Sequence, residues 1–332
     1  MIKNPKIIFL VFILAIFAFV NSEFNHVSKN TDQLAQIGRP WGGLFGLLQQ
    51  KSVDIRLPNH DTRAQVEFSG QPISSISAQK IRAIAEEQLR KSKKSLGCTK
   101  SIYSNEAYIV LCNDHESYKK RAGVAGSLAC FIQEDDTILI DLSRININLF
   151  NNELLEDIVR HECAHRIYGV LVDEIMRKNR PLKSDDPVYE LLDKIYYNSR
   201  ALDEGHATLQ EQNNEILMNM LLRSIKVHSQ SSANLEELIG GPYMSFNQGM
   251  FDQSLSFVVF LCIKYQSCRD GLTETIILSG GLRNPRQLDT TREKYKEKIK
   301  KLGDEWQAWE SVILSGGNKS ALEAIKKAKG FE

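Results

Sequence analysis

Net charge of either sign is all but missing: across 332 residues, 42 Lys+Arg stand against 41 Asp+Glu. A chain so balanced has no long-range field to draw in nucleic acid, and no RNP, zinc-finger or basic-helix pattern supplies a local one. Nucleic acid is therefore not an expected partner. Beyond residue 20 no stretch is apolar enough to span a bilayer, no segment repeats and no low-complexity block intervenes. None of the spacings among the six cysteines is a C-x-x-C, which argues against a cysteine zinc site or a thioredoxin-like motif. What is left, at 42% hydrophobic and 25% charged residues, is an ordinary globular composition. The length allows one large domain or two modest ones, since a domain usually takes about 100–200 residues.

The N-terminus is set apart. Met1–Lys6 carries two lysines, Ile7–Val20 is uninterruptedly apolar, and Val20-Asn21-Ser22 offers small or tolerated residues before a cut, which is the order of a secretory signal peptide. The apolar run is 14 residues long, short of the roughly 20 that cross a bilayer. Export with cleavage after Ser22 is expected, to the periplasm or outside the cell and without stable membrane insertion; an uncleaved anchor is the alternative. Outside the cytosol some cysteines are expected to pair, and the pairs nearest in sequence are Cys98 with Cys112 and Cys262 with Cys268.

Residues 23–65 are polar and interrupted, an irregular lead-in or a pro-segment. Ser77–Ser95 has helical spacing and stops at Gly97. Three short apolar runs follow, Ala107–Cys112, Ser127–Ile132 and Thr137–Asp141, with a short helix at His115–Arg121 and a turn at Asp135-Asp136. They predict a small mixed sheet. Past Phe150 the pattern turns helical: a helix capped at Asn151 or Asn152 and running to Tyr168, then Pro187–Tyr197, Ser199–Gln212, Asn214–Val227, Ser254–Tyr265, Thr290–Ser315 and Ser320–Lys329. The expected fold class is α+β, with a core domain over residues 66–283 and a helical extension over 284–332.

His161-Glu162-Cys163-Ala164-His165 is an H-E-x-x-H. On a helix the two imidazoles, four residues apart, lie on one face and can hold one ion, with the intervening glutamate within reach of water bound to that ion. Leu154, Ile158, His161 and His165 form a continuous helical stripe, expected to face the core. Cys163 reads as a small packing residue. A catalytic zinc usually has three protein ligands and an open position. The metzincin continuation fails, because Tyr168 and Leu171 stand where its glycine and third histidine belong. A downstream candidate is Ala201–Ala207 (ALDEGHA), in which Asp203, Glu204 and His206 each could ligate.

The pairing of H-E-x-x-H with Glu204-Gly205-His206-Ala207 resembles the gluzincin metallopeptidases, in which the motif on one helix is completed by the glutamate of an E-G-x-A on a second. The resemblance spans roughly Ala107 to Gly280 and is carried mainly by these two motifs. It implies a zincin-like fold, one zinc ion held by His161, His165 and Glu204, Glu162 as general base, and a peptide or protein substrate. It also implies that Gly205 lets the two ligand helices approach closely, and that Phe251–Phe257 with Leu261 and Tyr265 close the site. Two positions depart from the pattern. Thr208 stands where an aspartate often orients a zinc histidine, and Phe251 where a tyrosine often donates to the oxyanion. Asp203, His206, Tyr243 and His228 are the candidates for those supporting roles. A zinc peptidase is the expected function; the alternatives are a scaffold that keeps the fold without the activity, and a protease held latent by residues 23–65.

Overall fold

The computed structural model describes residues 62–70, 73, 76–99, 106–123, 127–133, 135–145, 153–179, 200–230, 235–240, 248–283 and 289–330. The signal peptide, most of the lead-in, the caps at Asn151 or Asn152, the helix expected at Pro187–Tyr197 and Tyr243 lie outside them.

The strands are β1 (Ala64–Ser69), β2 (Ala107–Cys112), β3 (Ala129–Ile132) and β4 (Thr137–Asp141), in the order β1-β2-β4-β3. The first two contacts are parallel and β3 runs antiparallel to β4, so the sheet is mixed, as expected from the sequence. Ile109, Leu111, Ile138 and Ile140 feed the main core, under α1 (Ala78–Ser95) and α3 (Glu153–Asn179). Val110, Cys112 and Leu139 point to the opposite face, where Tyr118 of α2 (His115–Ala122) covers them. Central strands covered on both faces read as unbroken apolar runs, which is why β2 and β4 end where the sequence says. β1 was not anticipated: its A-Q-V-E-F-S alternation is only half-buried and gives a weak signal until it pairs with β2.

α3 continues eleven residues past Tyr168, through Gly169, because Val170, Leu171, Val172 and Ile175 are buried. Packing there outweighs the roughly 1 kcal/mol that glycine costs inside a helix. A bidentate fork from Arg166, at 2.6 and 2.8 Å, ties α3 to Asp136 in the β3–β4 turn.

The helical half comprises α4 (Arg200–Leu209), α5 (Asn214–Gln230), α6 (Leu235–Gly240), α7 (Gln248–Tyr265), α8 (Cys268–Arg283) and α9 (Asp289–Gly330). α7 is buried on all sides from Gln253 to Cys262 and is the hub on which α4, α5, α8 and α9 pack. α9 joins the two C-terminal helices expected from the sequence through a break at Gly317, and its Ile299, Leu302, Trp306, Ile313 and Ile325 belong to the same core. No helix among the described residues is long and apolar enough to cross a membrane.

Cys262 and Cys268 are bonded across the α7–α8 corner. Cys98 and Cys112 are not: both are buried, and neither forms a disulfide. Cys98 belongs to the core on one face of the sheet and Cys112 to the cluster on the other, so the sheet itself separates them.

Candidate metal centre

His161 and His165 lie one turn apart on α3, with ring centroids 4.8 Å apart and planes at 78°. Their stripe lies at the edge of the core, against which Leu154 and Ile158 pack, rather than at its centre. Leu155, Val159, Cys163 and Ile167 take that place, while Leu154, Ile158, His161 and His165 are half-buried. The histidine face therefore borders on solvent, as a site that must admit a ligand requires. Cys163 is fully buried, and burial pushes its thiol up to about 12, consistent with a packing residue.

Glu204 comes to the same place from α4. Its Oε2 is 3.5 Å from His161 Nε2 and 3.8 Å from His165 Nε2. One ligand atom from each of the three residues lies within 4.8 Å of the others. The group can hold a metal ion, because two neutral imidazoles and a carboxylate suit a divalent first-row cation. Arg200, one turn earlier on α4, takes the other Glu204 oxygen at 3.2 Å, leaving Oε2 to the histidines.

The outward nitrogens are held as firmly as the inward ones. His165 Nδ1 meets Asp203 Oδ1 at 2.7 Å, and His161 Nδ1 meets Glu211 Oε1 at 3.3 Å. Carboxylates behind imidazoles fix both tautomer and ring orientation, with Nδ1 protonated and Nε2 free to ligate. Glu211 supplies the support that Thr208 lacks. It stands two residues past the end of α4, in a connection whose course helical spacing does not give, whereas Arg200, at i−4 from Glu204, was legible from that spacing.

Electrostatics follow from this layout. Burial works against charging either imidazole, but Glu204 and Glu211 outweigh it at His161, and Asp203 and Glu204 at His165, so both are raised. Burial likewise opposes ionisation of Glu204, yet His165, His161 and Arg200 hold its carboxyl down at about 2. Glu162 goes the other way: burial raises it more than the two histidines lower it. Its Oε2 is buried and has no hydrogen-bond partner among the described residues. An acceptor left in that condition costs about 1–3 kcal/mol, which fits a group whose partner arrives with the ligand.

The other supporting candidates lie elsewhere. His206 is wholly buried beside Tyr168 and its Nε2 is 3.4 Å from Gln210 Nε2; burial lowers it to about 3, and it is not one of the three converging groups. His228 is stacked on Trp306 and bonded to Glu310, so its Nδ1 is taken in a separate network. Gly205 does permit a close approach, but to α7 rather than α3: a Cβ there would sit 2.2 Å from the Ser254 carbonyl oxygen. Phe251 lies on α7, and its side chain, like Tyr243, is outside the described residues.

Comparison with known proteins finds no family model that matches the chain and no matching curated protein. The functional reading therefore rests on the site itself.

Proposed function

We propose that the protein is an exported zinc peptidase of the gluzincin type, with a zincin-like arrangement of sheet, motif helix and second ligand helix. The observation that carries this reading is Glu162: a buried, unpartnered carboxylate oxygen beside three converging ligands. A metal held only for structure needs no such group. Zinc bound by His161, His165 and Glu204 would polarise a carbonyl and lower the pKa of a coordinated water to about 7.

The chain's own residues do the rest. Asp203 and Glu211 keep both Nε2 atoms turned inward. Glu162 takes a proton at Oε2 from the attacking water and returns it to the leaving nitrogen, and its raised pKa suits a group that must do both. β3, the outer strand beyond β4, packs against α3, so an extended peptide pairing with it would run past the motif. The Cys262–Cys268 bond supports an oxidising compartment.

The test is cleavage of a diverse peptide library by the chain from residue 23 onward, with and without a chelator, beside Glu162→Gln. Chelator-sensitive cuts absent from the variant are expected. Cuts that persist in folded Glu162→Gln would overturn the assignment, and no cuts from zinc-loaded protein would favour a latent or scaffolding role.

A further inference from the structure

The last turn of α9 reaches the back of the metal centre. Upstream, α9 is anchored in the helical half: buried Glu310 accepts from His228 Nδ1 of α5 at 2.5 Å and from Ser256 Oγ of α7 at 2.5 Å, and Trp306 Nε1 donates to Ser256 Oγ at 3.1 Å. Gly317, at φ 61° and ψ −146°, then breaks the helix. Nothing lies within 4 Å of where its Cβ would be, so glycine serves the backbone conformation there rather than a close approach. The re-aimed segment buries Ala321, Ala324, Ile325 and Ala328, and Cys268 Sγ lies 3.8 Å from the Ala328 carbonyl oxygen.

That packing brings Lys329 Nζ to the main-chain carbonyl of Glu211, to which it donates. Glu211 lies in the short connection between α4 and α5, which is held on its other side by the Gln212 N–H donating to Asp157 Oδ1 of α3 at 3.1 Å. The Glu211 carboxylate is the group behind His161 Nδ1. A continuous chain of contacts therefore runs from the C-terminal turn to a metal ligand.

We propose that the segment beyond Gly317 is a strap for the metal centre, with Lys329 as a positioning residue that acts on His161 through Glu211. It requires that His161, His165 and Glu204 hold a metal, and is independent of peptidase activity. Pinning the connection at Asp157 and Lys329 places the carboxylate where it must be to hold His161 in its ligating orientation. A protein whose C-terminal turn is detached would keep all three ligands and bind metal more weakly.

The experiment is zinc affinity of the full chain, by competition with a chromogenic chelator, for wild type, Lys329→Ala, Lys329→Arg, Glu211→Ala and the Lys329→Ala/Glu211→Ala double variant. Losing a carboxylate behind a ligating histidine typically costs about 10–100-fold in metal affinity, so Glu211→Ala is expected in that range and Lys329→Ala near its lower end. Lys329→Arg, which keeps a donor, should recover most of the loss. The double variant should bind no more weakly than Glu211→Ala, because a contact acting only through Glu211 has nothing left to act on. Additive losses, or an affinity for Lys329→Ala within twofold of wild type, would overturn the strap. Wild type that binds no zinc would overturn it together with the metal centre, whereas zinc binding with the expected coupling and no peptide cleavage would sink only the peptidase reading.

Discussion

Two histidines, one glutamate and three carboxylate or guanidinium neighbours set the pH behaviour of the centre. An imidazole must be neutral to ligate, and the acidic neighbours raise His161 and His165 above the ordinary imidazole value, which is about 6.5. Protons would therefore compete with a metal held there at higher pH than they would at isolated histidines. Metal affinity would be complete above those raised values and lost as pH falls through them; Glu204, held at about 2, stays ionised throughout. Zinc affinity measured across the acid-to-neutral range should fall steeply on acidification, with two protons taken up per ion released, and a flat profile between about pH 6 and 8 would contradict this. Replacing Asp203 with Ala should weaken zinc by about 10–100-fold and shift the His165 titration downward, as followed by NMR of the imidazole. His161 and His165 could be paired from spacing along one helix, since i, i+4 geometry is local, whereas Glu204 came from the resemblance, with Asp203 and His206 beside it as alternatives. His228 could not be excluded that way, because its partner Glu310 lies 82 residues on.

Helices α4 and α7 meet more closely than side chains allow. Gly205→Ala places a methyl 2.2 Å from the Ser254 carbonyl oxygen and 2.7 Å from Val258 Cγ2, so the helices must separate, at about 1–3 kcal/mol or more. Because Glu204 is the preceding residue, the shift should also weaken zinc binding; unfolding in urea and the chelator titration would read the two effects. Gly303→Ala on α9 is the matched control, since its Cβ would make ordinary contact with Leu235 Cβ at 3.4 Å. It is expected to be neutral or stabilising by up to about 1 kcal/mol. A Gly205→Ala chain as stable as Gly303→Ala would mean that helix propensity and not the close approach governs Gly205. The sequence pattern found α1, β2 and β4 within a residue, with Gly97 as the stop for α1; Ser77, read as its first residue, is its N-cap. It passed over α8, whose Gly271, Gly280 and Gly281 read as breakers and whose buried face includes Thr275 and Ser279. Thr275 Oγ1 donates to the Gly271 carbonyl and Ser279 Oγ to the Ile239 carbonyl, contacts that only the folded chain provides.

At the scale of the molecule, the C-terminal extension is part of the fold. Glu310 ties α9 to α5 and α7 from the interior, and a buried carboxylate is tolerable only because both of its oxygens are used. Glu310→Leu should cost about 1–3 kcal/mol for each buried donor left unpaired, seen as a lower midpoint in denaturant. The loss should appear in a single cooperative transition. A separate early transition would mean that α9 folds as an independent unit.

The sequence by itself determined which residue types are on hand to ligate a metal, and that an α+β chain carries them on helices. Those properties depend on residue type and on helical spacing, both local. The tertiary structure decided which groups stand behind the ligands, which face the histidine stripe presents, which cysteines meet, and where the C-terminal turn lands. Each of these depends on residues from separate elements arriving at one place, and short-range periodicity carries no record of how helices cross or on which face of a sheet a side chain is buried.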